Sequence, residues 1–225
     1  VEVEDIYRPF KPKRKTRASI AREKGLEVLA DLIGRQDDKL DLHNESQKFI
    51  NVENGLETEE EVIQGASDII AENVSDDAEL RKSIRKLYEK AAKIESRASD
   101  ENAETVYQNY YEFCEPVSKI ADHRILALDR GEKEGALKVS VSIDEEFCFS
   151  IAERKYVINN TDSGNIVKAA VQDSCKRLIM PSVEREIRAE LTARAAEGAI
   201  KVFSSNLRQL LLQPPIKNSV TLGLD

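Results

Sequence analysis

The stretch PSVEREIRAELTARAAEGAIKVFSSNLRQLLLQ, residues 181–213, decides the fold class. Apolar side chains recur at Val183, Ile187, Leu191, Ala195, Ala199, Val202 or Phe203, Leu207 and Leu210, the spacing of one helix face. Pro181 suits a first turn, where a missing N–H costs nothing, and only Pro214-Pro215 stops the pattern. At 1.5 Å per residue, about 30 residues make a rod of roughly 45 Å. Such a rod spans a module rather than sitting inside one.

Working outward, Gly164 to Met180 repeats the helical pattern through Ile166, Val167, Ala170, Val171 and Leu178. Thr58-Glu59-Glu60-Glu61 is a capping box with acids where the helix dipole favours them, followed by Val62, Ala66, Ile69 and Ile70. Ser75 then caps a second helix, whose stripe Leu80, Ile84, Leu87, Ala91, Ile94 and Ala98 predicts helix through residue 98. The two stripes predict an antiparallel pair joined at Val74-Ser75. Shorter helices are expected from Thr16 to Lys24, from Leu26 to Gly34, over 101–113 and from Ala121 to Gly131. Leu137, Val139, Val141 and Ile143 alternate with polar residues and predict a strand. Phe147, Phe149 and Ile151 read equally as its partner or as helix. Pro9 and Pro12 predict that residues 1–15 are extended. The fold class is mainly α, a multi-helix region with one small β element and a long C-terminal helix.

Composition narrows the function. The 225 residues are 40% hydrophobic and 34% charged, enough for a core under a solvated surface. The longest apolar run is Ile125-Leu126-Ala127-Leu128, far short of the ~20 residues that cross a membrane. Cys114, Cys148 and Cys175 are unclustered, as are His43 and His123, so neither zinc spacing nor a disulfide pattern exists. Free thiols point to the cytoplasm. No phosphate-binding glycine loop, nucleophile elbow or paired-histidine helix is present, so no catalysis and no cofactor are expected. No basic segment leads into an apolar stretch, and Val220 to Asp225 read as a strand just beginning. The chain is therefore expected to be part of something longer.

Charge is arranged in blocks. The net charge is −8, yet Arg8 to Lys24 carries +7, residues 51–80 carry −10, and Arg81 to Arg97 carries +5. The first block supplies the candidate nucleic-acid-binding residues Lys11, Lys13, Arg14, Lys15, Arg17 and Arg22, cations able to track a phosphate backbone. The competing reading pairs them with the acidic block inside the chain. Arg81 to Arg97 is the next candidate, as a basic helix surface.

Five stretches together resemble the bacterial transcription accessory protein (Tex) family, whose core is shared with a eukaryotic elongation factor. They are Glu4-Asp5-Ile6-Tyr7-Arg8-Pro9-Phe10 running on to Glu27, Glu115-Pro116-Val117-Ser118-Lys119-Ile120, His123-Arg124-Ile125-Leu126-Ala127-Leu128 with Arg130-Gly131-Glu132, Lys176-Arg177-Leu178-Ile179 with Pro181 to Arg188, and Leu207 to Pro215 running into Gly223-Leu224-Asp225. Ala121 stands where that family would have proline. The resemblance implies a basic arm (1–15), a helical module of helix-turn-helix type (16–110), a helical scaffold (111–217) and the first strand of a ribonuclease-H-like domain (218–225). It further implies helix-hairpin-helix and S1 RNA-binding modules beyond it, and RNA rather than DNA as ligand; the alternatives are a protein–protein docking module for the transcription machinery and the N-terminal part of a nuclease whose active site lies downstream. Asp225 resembles the first acid of a nuclease centre, and one carboxylate cannot hold a metal.

Overall fold

A computed structural model describes residues 2–10, 15–100, 103–214, 217, 220 and 222–223. Within them lie α1 (Glu2–Tyr7), α2 (Arg17–Glu23), α3 (Glu27–Arg35), α4 (Leu42–Gln47), α5 (Glu59–Ser75), α6 (Ala78–Ala91), β1 (Lys93–Ala98), β2 (Glu112–Pro116), α7 (Asp122–Lys133), β3 (Leu137–Ser142), α8 (Glu145–Tyr156), α9 (Asp162–Asp173) and α10 (Met180–Leu211). The fold is mainly α with one three-stranded sheet and a long C-terminal helix. One core runs through it, from Leu26, Leu29 and Ile33 through Ile69, Ile84 and Ile125 to Val183 and Ile187.

The capping box forms as expected: Thr58 Oγ1 accepts from Glu61 N (3.2 Å), and Glu61 Oε2 accepts from Thr58 N (3.2 Å). The next helix starts later than its stripe suggested. Asp77, not Ser75, caps it, accepting from Glu79 N (3.0 Å) and Leu80 N (3.2 Å). It also ends early, at Ala91, because Ile94 and Ala98 belong to β1. A spacing of four satisfies both periods, being two pleats of a strand and about one turn of a helix. The strand wins because β1 is the central strand, antiparallel to β2 on one side and β3 on the other. Nor do α5 and α6 form the expected antiparallel pair: α5 packs on α2, α3 and α9, while α6 packs on α10, α8 and α1.

Other expectations are corrected in the same way. The helix expected over 101–113, of which 101 and 102 lie outside the described residues, is replaced from 103 on by irregular backbone and a 3-10 turn, Gln108–Tyr110, leading into β2, where Phe113 and Cys114 pair with Ser96 and Glu95. Phe147 to Ile151 is helical, within an α8 that Asp144 caps. Residues 2–10 are α1 and a 3-10 turn, Arg8–Phe10, rather than extended. The sheet pairs residues 93–98 with 112–116 and 137–142, on both sides of the boundary expected at 110/111. The expected strand at 218–225 lies mostly outside the described residues.

Pro181 does not begin a helix. The helix runs unbroken from α9 through a π turn, Ser174–Ile179, into α10. In a regular helix the proline ring would strike the carbonyl of Arg177, four residues back. The wider turn just ahead, where Met180 N–H reaches Cys175 C=O, accommodates the ring without a break.

Candidate functional site

The α10 ridge changes character halfway along. Val183, Ile187, Leu191 and Ala195 are all buried. The cover is largely α7, lying antiparallel. Glu132 Oε2 meets Arg188 Nη2 (2.5 Å), Asp129 Oδ2 accepts from Thr192 Oγ1 (2.7 Å), and Asp122 Oδ1 accepts from Arg194 Nε (3.0 Å). α7 starts where Asp122 reaches Gly198: a Cβ there would lie 2.9 Å from Asp122 Oδ2. Past Gly198 the same four-residue row continues as Ala199, Phe203, Leu207 and Leu211, flanked by Ile200 and Leu210. Every residue from 199 to 212 is exposed, Phe203 at 67% and Leu211 at 76%. About 20 Å of apolar helix surface therefore projects beyond the core.

α10 also closes the sheet. The outer edge of β3 would leave backbone groups unpaired. Glu184 Oε1 accepts from Val141 N (2.9 Å), and Arg188 Nη1 donates to Val139 O (3.1 Å). Two side chains one turn apart thus seal the edge. Near the start of α10, Arg81 and Arg85 are buried rather than on the basic outer surface expected of their helix. Arg81 Nε and Arg85 Nη2 donate to the two oxygens of Asp5, each at 2.7 Å, and both guanidiniums reach Glu186, at 2.6 and 2.8 Å. Burial pushes Asp5 up, but the arginines more than offset this and hold its carboxyl below the usual carboxylate range. The network ties α1 to α6 and α10. A hydrophobicity reading does not find it, since its residues sit in ordinary charged runs.

The expected nucleic-acid ligands are divided. Lys11, Lys13 and Arg14 lie outside the described residues. Lys15 and Arg17, at the start of α2, are exposed. Arg22 is held by Glu72 Oε2 (2.5 Å) and Asn73 Oδ1 (2.7 Å), and Lys24 Nζ donates to Gly55 O (2.9 Å). Arg8 faces Asp76 (3.5 Å). The acidic block has thus taken up Arg8 and Arg22.

A groove of about 620 Å³ separates α2 from α5, with Arg17 and Lys24 on one wall and Glu60, Gln64 and Asp68 on the other. Burial raises the Asp68 carboxyl above its usual range, and its Oδ1 accepts no hydrogen bond. Cys148 and Cys175 are buried and pushed up to about 12, poor nucleophiles at neutral pH. Among the described residues no His, Cys, Asp or Glu group could hold a metal ion. No helix there is long and apolar enough to cross a membrane.

Residues 37–203 match the family model described as Tex central region-like. The chain belongs to the Tex family. It is 46% identical to the protein YdcI of Bacillus subtilis (strain 168) over 230 residues, covering 100% of this chain and 32% of YdcI. It is 32% identical over 234 residues to the transcriptional accessory protein Tex of Neisseria gonorrhoeae, covering 99% of this chain and 30% of that protein. It is 30% identical over 240 residues to the human S1 RNA-binding domain-containing protein 1, covering 100% and 24%. The chain spans about a third or less of the length of these relatives. The Tex match includes α7, the sealed sheet edge and the buried half of α10, and it ends at Phe203, on the bare ridge.

Proposed function

We propose that this region is the helical scaffold of a cytoplasmic, RNA-binding transcription accessory protein, without catalytic activity of its own. The observation that carries the reading is the bare half of α10. A ridge buried against α7 up to Gly198 and apolar for a further 20 Å or so is built to seat another body. In relatives three times as long, the remaining polypeptide is the occupant nearest to hand. The relatives' names supply the rest of the reading, one a transcriptional accessory protein and one an S1 RNA-binding protein. Helix-turn-helix character within residues 16–110 belongs to the same proposal.

The test is hydrogen exchange of residues 199–212 in this chain and in a fusion in which this chain replaces its matching segment of full-length YdcI. The amides are expected to be slower in the fusion, and Phe203→Asp with Leu207→Asp should return them to the rate of the chain alone. Equal exchange in both proteins sinks the scaffold reading and leaves a docking surface for a separate protein.

A further inference from the structure

Many of the basic side chains are spoken for. Arg8, Arg22, Arg81, Arg85, Arg124, Arg177, Arg188 and Arg194 are all ion-paired. A contiguous run is not. Lys86 and Lys90 lie one turn apart on the outer face of α6, and Lys93 and Arg97 follow on the solvent face of β1. Lys138 on β3 is the register partner of Arg97. All five are exposed, and none has an ion pair or hydrogen bond among the described residues. The acids sharing this surface are Glu89, Glu95 and Glu112, and Glu95 is engaged by Ser142 Oγ (2.7 Å). Lys86 to Lys90 spans about 6 Å along the helix, and Lys93 to Arg97 about 13 Å along the strand.

We propose that Lys86, Lys90, Lys93, Arg97 and Lys138 bind the sugar-phosphate backbone of a nucleic acid. Cations in line supply sequence-independent attraction. The acidic chain as a whole repels such a ligand at long range, so contact depends on this local run. The site rests on the nucleic-acid part of the function proposed above and not on the α10 ridge.

The experiment is fluorescence anisotropy of the 225-residue chain with a 12-nucleotide oligouridylate and an oligodeoxythymidylate of equal length. With about four phosphates engaged, log K against log salt should slope near −3, roughly sixtyfold weaker binding from 50 to 200 mM. Replacing Lys90, Lys93 and Arg97 together with Glu should cut affinity at least tenfold at 50 mM and flatten the slope, with an unchanged melting temperature. Both oligomers should bind within a few-fold of each other. The assignment is overturned if the triple variant binds like the parent or if the parent shows no salt-dependent binding to either oligomer. It is equally overturned if only replacing Lys11, Lys13, Arg14 and Lys15 removes binding. None of these results changes exchange along α10, so the scaffold reading stands or falls separately.

Discussion

Arg81 is buried completely, and among the described residues its charge is balanced by Asp5 and Glu186. Arg81→Ala should therefore cost about 3–5 kcal/mol, because two carboxylates lose a partner they cannot replace from water. A urea titration showing less than about 1 kcal/mol would mean that solvent reaches the site. The pH dependence follows from Asp5. Its folded value lies below the unfolded one, so its stabilisation is complete above about pH 4 and is lost as pH falls through the folded value. The stability gap between the parent and Asp5→Asn should thus be full at neutral pH and should narrow below pH 4. Asp68 has the opposite sign. Burial raises its folded value, so the charged form costs stability as pH rises above the unfolded value. Asp68→Asn is expected to be neutral or stabilising by up to about 1 kcal/mol at pH 7, and a clear loss there would show that the ion pair of its Oδ1 with Arg177 (3.5 Å) outweighs the cost of burial.

At the scale of elements, α10 carries its own control. Leu191→Asp and Leu207→Asp place the same charge on one row of one helix. The first should cost several kcal/mol by burying an unpaired carboxylate, and the second about 0.5 kcal/mol or less. Similar losses at both positions, measured by thermal melting, would contradict a bare second half. Glu184→Ala should expose the β3 edge, costing about 1–2 kcal/mol for the orphaned Val141 N–H.

Legibility in the sequence also divides by element. Thr58, Glu61 and the α10 ridge were readable because caps and long periodic rows are set by neighbours three and four residues away. Ile94 and Ala98 were misread because their spacing suits helix and strand alike, and only β2 and β3, distant in sequence, choose between them. The fate of Arg22 was half legible. The opposed charge blocks announced a pairing, but Glu72 and Asn73 as its partners depend on α2 packing across α5. Charge counts could not separate buried Arg81 and Arg85 from exposed Lys86 and Lys90, which alternate around one helix.

Across the whole molecule, a single core predicts a single cooperative unfolding transition for the described body. Residues 199–212, with no tertiary cover, should exchange their amides orders of magnitude faster than those of α5 or the first half of α10. Mass spectrometry of exchanged peptides would check both claims, and uniform protection along α10 would contradict the second.

The π turn ahead of Pro181 bears on how this helix tolerates changes of length. A regular helix packed on both sides of a site cannot lose one residue without rotating everything beyond it by about 100°. A π turn already holds one residue more than an α turn, so removing Lys176 would let Ser174–Ile179 close to regular geometry with Val171 and Val183 keeping their facings. Pro181 forbids this alone, since its ring would again meet the carbonyl four residues back. The deletion should be ruinous by itself and largely rescued by Pro181→Ala. The two positions together form a slack loop in the helix, held open by one proline.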